Sequence, residues 1–450
     1  MDAQTEKYNQ MMYTPMVKLI MMLSVSTISS QLVSTVYNMV DTFFVAQLGT
    51  SVTAAVGVVN SLQSLIQAVG YGIGMGCGAL IARSLGRQDT EKSNLYGTSG
   101  LLMASVSGII ILVVGYPFIS RMMSLLGASD SMLEYAIDYG RIILLAAPIM
   151  CISFTSIGVV RYSGFLKLSM IGSITGCICN GLMDPVLIFG CKLGVAGAAL
   201  STLLAEAISC TISLYFLFGH KTSLTISKRY ISKDKADYFR IIKSGVPTIF
   251  RQMMGSFSSA LLNNIARPFG DSAVAAVTIS NKIYALVRNM VLGVGQAMQP
   301  VVGFCYGANN KKRVKKAFWV AVWYGTFLCL IIGLFLYFKA EFVVSLFQKN
   351  DPEVVLIGAQ GLRYCCYVLL FLSFSTFVNQ VFQVLGFAAP ASLLASCRQG
   401  ICFVPIILIL PKVIGVAGVE MAQAVSDLAT AIISLPFWFW MNRYLSQETV

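Results

Sequence analysis

Twelve long apolar stretches constrain this chain more than any motif does. They run over residues 16–43, 52–80, 94–118, 135–159, 166–190, 195–218, 244–266, 275–305, 317–338, 357–384, 393–411 and 417–440. A helix needs about 20 mostly apolar residues to cross the hydrocarbon of a bilayer. There every backbone N–H and C=O must be satisfied inside the protein, so only helices and closed barrels cross. Barrel strands alternate over about 10 residues, whereas these stretches are continuous and rich in Gly, Ala, Leu and Ile. The expected class is therefore an all-α membrane protein with twelve transmembrane helices. Only 11% of residues are charged and 56% are hydrophobic. A soluble chain carries about 25% charge and has no interior able to hide so much apolar surface. Residues 1–15 are polar and the stretch after them is long enough to span, so no cleavable signal peptide is expected.

The net charge of +13 would suggest nucleic acid in a soluble chain. Here the basic residues sit in short loops, where membrane topology and anionic lipid account for them, and no nucleic-acid partner is expected. If all twelve stretches span, one side collects Arg83, Arg87, Lys92, Arg161, Lys167, Lys221, Lys228, Arg229, Lys233, Lys235, Arg240, Lys243, Lys311, Lys312, Arg313, Lys315 and Lys316. The other side is sparse: Arg121, Lys192, Arg267, Lys339, Lys349 and Lys412. The rich side, with both termini, is expected in the cytoplasm. The 12 cysteines lie mostly inside apolar stretches, and the single histidine is His220. Cys177 with Cys179, or Cys365 with Cys366, lack the partners of a metal site and read as small buried hydrophobes. No catalytic constellation is visible, so neither an enzyme nor a cofactor is expected. The glycines of "GYGIGMG" (70–76) lie inside an apolar stretch with no strand before them, which excludes a dinucleotide fingerprint.

The chain also repeats itself at an offset close to 221 residues. "QLGTSVTAAVGVVN" (47–60) matches "PFGDSAVAAVTISN" (268–281), Gly72, Gly74 and Gly86 fall on Gly293, Gly295 and Gly307, and "LGVAG" (193–197) falls on "IGVAG" (414–418). Glu206 falls on Asp427. Two pseudo-symmetric six-helix lobes follow, 1–219 and 244–450, joined by a basic cytoplasmic linker, 220–243, with a short amphipathic segment near Lys233–Ile242. Six spans per half means that equivalent spans cross in the same direction, as in parallel repeats, an arrangement suited to alternating access. The small residues of 70–78, 172–176 and 293–297 suit close helix packing. Pro148, Pro185, Pro247, Pro300, Pro405 and Pro436 can each kink a helix.

Ionisable groups inside spans are costly and usually functional. Asp41 ends the first span in "YNMVDTFF" and Asp184 lies in the fifth, in "CNGLMDPVLIFG". Asn180 precedes Asp184 by four residues and shares its helix face. Pro185 can break the helix there and free carbonyls, and Thr202 adds a hydroxyl. Such an all-oxygen set can hold a proton or Na⁺, and a carboxyl pair in a poorly hydrated place can release a proton when water reaches it. The alternative is that both aspartates merely cap helices. At the offset positions stand Leu262 and Pro405, and spans seven, eight and ten hold no Asp or Glu, so the acidic site belongs to the first half. Glu206 and Asp427, sharing a mid-span position, suggest gating or packing, or a pairing with Arg or Lys. Arg251, Arg288, Arg363 and Arg398 lie in or beside spans of the second half. Any that faces a cavity would favour anionic groups. The candidate cavity wall is Tyr37, Met39, Phe43, Phe154, Met253, Met254, Phe257, Asn264, Tyr284, Arg288, Gln296, Phe374 and Gln380, since Met and aromatic groups adapt to bulky apolar ligands.

With "YNMVDTFFVAQLG" and "TAAVG", "GYGIGMGCGALIARSLG", "NGLMDPVLIFG" followed by "LGVAGAALST", and "AAVTISNKIYALVRNMVLGVGQAMQPVVGFCYGANN", the chain resembles the multidrug and toxic compound extrusion (MATE) family over nearly its whole length. The branch it most resembles contains the DNA-damage-inducible and staphylococcal-type pumps. The resemblance implies two six-helix lobes forming a V-shaped central cleft. It implies export of bulky amphipathic, often cationic drugs against inward H⁺ or Na⁺ by a monomer in the cytoplasmic (inner) membrane of a prokaryote. It assigns the cation site to Asp41, Asn180, Asp184 and Thr202, with Na⁺ as the metal they would hold. Acidic residues that another branch places in helices seven and ten are missing here, so that mechanism does not transfer. A flippase or exporter of lipid-linked or anionic substrates, built on a related two-lobe architecture, is the rival reading. A channel would need neither the repeat nor an acidic pair in one half.

Overall fold

The computed structural model describes residues 3–219, 221–348 and 351–447; His220 and Lys349 lie outside them. The helices in order are α1 Ala3–Tyr13, α2 Met16–Ala46, α3 Thr50–Gly86, α4 Thr90–Gly115, α5 Ile119–Leu125, α6 Asp130–Tyr162, α7 Leu166–Pro185, α8 Gly194–Phe218, α9 Lys235–Ala266, α10 Asp271–Gly307, α11 Lys311–Phe338, α12 Ala340–Ser345, α13 Pro352–Leu385, α14 Ala388–Ser396, α15 Phe403–Ile414 and α16 Val416–Ser446. Among the described residues there is no strand. Among the described residues ten segments are long and apolar enough to cross a membrane, α7 and α14–α15 counting through wide turns. The sequence leads one to expect twelve. The two that differ are α9 and α10, which have 32 and 37 residues. Their interiors are too polar to join the ten: α9 carries Arg251, Gln252, Asn263 and Asn264, and α10 carries Asn281, Lys282, Arg288, Asn289, Gln296 and Gln299.

The amphipathic segment near Lys233–Ile242 continues directly into the seventh stretch. It forms the first turns of α9, which starts at Lys235 because the Asp234 carboxylate accepts the Ala236 N–H at 2.8 Å. At Pro185 the helix widens instead of breaking. Residues Val186–Gly190 form a π-helical turn, closed by Cys191 N–H donating to Val186 O at 2.8 Å. A second π turn, Cys397–Ile401, joins α14 to α15. Such turns recur at functional sites because they displace side chains from the regular helical face.

The repeat is written in the backbone. Left-handed φ recurs at the same offset in Gly49 and Gly270 (114° and 97°), Gln88 and Asn309 (61° and 56°), and Gly194 and Gly415 (53° and 64°). After Gln88 and Asn309, equivalent caps start the next helix: Asp89 accepts the Lys92 N–H and Asn310 accepts the Arg313 N–H, each at 3.0 Å.

The chain condenses into two compact units. The first comprises Met1–Thr14, Ser29–Ile249 and Gly303–Asn309. Its centre is α6, packed against α3, α4, α7 and α8. A Cβ on Gly74 would lie 2.9 Å from Phe154 O, and one on Gly158 2.8 Å from Gly74 O, so only glycine permits this approach of α3 and α6. The second unit comprises Pro15–Ile28, Phe250–Val302 and Asn310–Val450. In it α13 packs on α11 and α16, and α15 on α16. Its core includes Leu262, Val277, Phe403, Ile407 and Val419, and Phe318 stacks on Trp438 with centroids 3.9 Å apart. The units exchange helix beginnings symmetrically: 15–28 belongs to the second, while its repeat counterpart, 236–249, belongs to the first. In the first unit Gly72 receives the Ile249 side chain; in the second, Gly293 receives Ile28.

Candidate functional site: a carboxyl pair beside a polar cavity

All four residues expected to hold a cation come together in the first unit. Asp184, Asn180 and Thr202 are buried at 0%, 1% and 3% exposure. The i, i+4 spacing puts Asn180 one turn before Asp184 on α7. Its surroundings orient the Asn180 amide so that Nδ2 donates to Asp184 Oδ2 at 2.9 Å, while Oδ1 accepts from Ser201 Oγ at 3.3 Å and from the Thr202 N–H at 3.2 Å. Thr202 Oγ1 donates to Ala198 O at 3.2 Å and is in hydrogen-bond contact with the buried Tyr139. Asp41 arrives from α2, and its carboxyl lies against that of Asp184. Asp41 Oδ1 and Asp184 Oδ1 are each shielded from solvent and, among the described residues, have no hydrogen-bond donor. Opposed carboxyl oxygens repel unless a proton or cation sits between them. Among the described residues no Lys or Arg pairs with either aspartate.

Beside the pair lies a polar cavity of about 130 Å³. It is lined by Ser34 and Tyr37 of α2, by Gln63, Gln67 and Tyr71 of α3, by Phe154 of α6, by Cys177 and Asn180 of α7, and by Thr202 and Glu206 of α8, among others. At about 30 Å³ per molecule this space takes roughly four waters. A drug-sized ligand needs about 300 Å³ or more. The cavity is therefore scaled to water and small ions. Glu206 is in hydrogen-bond contact with Ser153, and among the described residues it forms no ion pair.

The expected cavity wall is scattered. Tyr37 and Phe154 line this cavity, Phe154 stacked on Tyr71 with centroids 4.4 Å apart. Met39 is half-buried and Phe43 exposed. In the second unit Met253, Phe257 and Asn264 are exposed, Gln296 is half-buried, and Met254 abuts Gly400. Phe374 joins the aromatic cluster of Phe318 and Trp438, and Gln380 is buried against Gly295. Sequence reasoning missed Gln63, Gln67 and Tyr71, although their spacing of four marks a polar stripe on an apolar helix. It also missed Tyr139.

Asp427 is held very differently from Glu206. Its Oδ1 accepts Arg398 Nε at 2.7 Å and Gln423 Nε2 at 3.1 Å, and its other oxygen accepts the Tyr284 hydroxyl.

The sequence matches the MatE family over residues 26–186 and 247–409. It is 25% identical over 432 residues to the multidrug export protein MepA of Staphylococcus haemolyticus, covering 96% of this chain and 95% of that one. Among solved structures, it is similar to a MATE protein crystallised with MaL6, with a TM-score of 0.92, 26% identity and 98% of both chains covered. It is likewise similar to a MOP superfamily transporter from Pyrococcus furiosus, with a TM-score of 0.92, 25% identity and 98% of this chain and 99% of that one covered. The match along both halves makes this chain a member of the MatE family.

Proposed function

We propose that this protein is a secondary active multidrug exporter. It moves bulky amphipathic, often cationic drugs out of a prokaryotic cell in exchange for H⁺ or Na⁺ entering through the first unit. The observation that carries the reading is the contact between Asp41 and Asp184, two shielded carboxyls with no basic partner among the described residues. Asn180, through its N–H to Asp184 Oδ2, orients that carboxyl toward the ion, Thr202 adds a hydroxyl oxygen, and the small polar cavity gives access to water. The export names of the MepA relatives support the substrate class.

Ion uptake places a cation between the two carboxyls and relieves the repulsion that holds α2 off α7. Ion release restores it. That two-state change at the end of α2 is the coupling step, and access alternates through the repeat halves 1–219 and 244–450, joined by 220–243, with α9 and α10 crossing alongside the ten apolar segments. Glu206, facing the same water, serves gating. A proton entering down about 100 mV supplies about 2.3 kcal/mol, enough for roughly fifty-fold concentration of a neutral drug at one-to-one coupling. Both termini face the cytoplasm in this reading, and the protein works as a monomer.

The test is fluorescent dye efflux from proteoliposomes with pH and Na⁺ gradients imposed separately. Native protein should respond to one of them, and Asp41→Asn and Asp184→Asn should both abolish the response. Efflux untouched by both substitutions would refute the coupling site. The second reading, export of lipid-linked or anionic substrates, is favoured by Arg398 of the second unit, whose Nη2 is shielded from solvent and has no acceptor among the described residues.

A further inference from the structure

We propose that the second unit contains an anion-binding site, formed by Arg288 and Arg398, that takes a carboxylate, sulfonate or phosphate carried by an amphipathic molecule. Arg398 sits in the π turn Cys397–Ile401, whose carbonyls are held by neighbours: Ser426 Oγ donates to Arg398 O at 2.7 Å and Ser258 Oγ donates to Gln399 O. The turn is thus fixed in place and aims one guanidinium edge at Asp427. The other end, Nη2, is shielded from solvent and has no acceptor among the described residues. Arg288 lies one turn beyond Tyr284 on α10, so both project from the same face. Tyr284 touches Asp427, which brings Arg288 to the same cluster, within electrostatic reach of Arg398, Arg251 and Asp427.

The charges do not balance. Asp427 already accepts from Arg398, Gln423 and Tyr284. Among the described residues Arg288 forms no ion pair. The other buried carboxyl of this unit, Glu420, packs against Gly361 instead. Cationic groups held in an apolar unit without matching carboxylates are costly unless an anion joins them. A guanidinium with free donors matches the two oxygens of a carboxylate, sulfonate or phosphate.

The site deepens the export reading by adding anionic or zwitterionic molecules to the substrate range, yet its test needs no transport. Purified full-length protein in phosphatidylcholine nanodiscs is titrated calorimetrically with 2-naphthoate and with neutral 2-naphthamide, empty nanodiscs serving as the blank. Naphthoate should bind at least about tenfold more tightly than the amide, a ratio worth about 1.4 kcal/mol. Arg288→Gln, which leaves the Arg398–Asp427 pair intact, should erase that preference, and Arg288→Lys should restore part of it. Asp427→Asn should strengthen naphthoate binding by freeing Arg398. Equal binding of acid and amide by native protein, or an equal loss of both in Arg288→Gln, would overturn the proposal. Replacing part of the lipid with phosphatidylglycerol separates the sources: weaker naphthoate binding identifies a lipid headgroup as the natural anion, and unchanged binding identifies a free solute. Failure of the export reading would appear separately, as absent gradient-driven efflux with naphthoate selectivity intact.

Discussion

Glu206 in the first unit and Asp427 in the second stand at the same place in the repeat, 221 residues apart, yet their surroundings differ at every neighbour. Asp427 has Tyr284, Arg398 and Gln423 around it. The residues 221 positions earlier are Gln63, Cys177 and Thr202, and all three line the cavity of Glu206. One cluster is a closed ion pair and the other an open, wettable pocket. The aspartate pair shows the same divergence. Leu262, the counterpart of Asp41, packs into a dry core with Phe403 and Ile407. The comparison teaches that a duplicated frame can keep one half mechanically firm while the other holds groups able to change charge.

The largest expected effect tests the firm half. Asp427→Asn leaves Arg398 buried without its carboxylate and should cost about 3–5 kcal/mol of stability, read as a lower unfolding temperature in detergent. Glu206→Gln, losing no ion pair, should cost less than about 1 kcal/mol. Similar losses in both would erase the distinction.

Packing offers the next contrast. Gly74 and Gly295 are repeat partners, but a Cβ on Gly74 meets the Phe154 backbone whereas one on Gly295 meets the far end of the Gln380 side chain. Gly74→Ala should destabilise by about 1–3 kcal/mol because backbone cannot yield. Gly295→Ala should cost less, because Gln380 can rotate away, and the two melting temperatures decide the matter.

Closing the open pocket is the third way to probe the comparison. Cys177→Arg places a guanidinium where the second unit has Arg398, next to Glu206. Dye efflux should fall at least about tenfold, a change of about 1.4 kcal/mol in rate terms, with melting unchanged or raised. Undiminished efflux would show that Glu206 and its water take no part in coupling.

The smallest effect compares the two helix caps. Asp89→Ala and Asn310→Ala should each cost about 1 kcal/mol at neutral pH. Only the first should depend on pH. The Lys92 N–H, and then the Lys92 ammonium, hold the Asp89 carboxyl below its usual range. A carboxyl lowered by folding stabilises above its unfolded pKa, and that contribution fades as pH falls through the folded value. The Asp89→Ala penalty should therefore shrink in acid, and the Asn310→Ala penalty should not.

Much of this was legible in the sequence, for identifiable reasons. Lipid demands long apolar helices, so the spans are visible as composition, and the Asn180–Asp184 spacing is a helix face by arithmetic. Asp41 and Thr202 were joined to them by resemblance, since no local rule says which helices meet. The polarity of α9 and α10 was present in the letters but masked by the apolar residues between. The Arg398–Asp427 contact depends on a π turn, which has no dependable signature. The exchange of helix beginnings is tertiary altogether.

That exchange sets an order of assembly. The first unit needs residues up to Ile249 and also Gly303–Asn309, so a ribosome that has made only the first 219 residues has not yet supplied the helix that seats in the glycine face of Gly72 and Gly76. Nascent first-half chain must wait in the bilayer with that face uncovered until α9 and the end of α10 emerge. Ribosomes stalled before and after that point should therefore carry first-half helices of very different protease resistance.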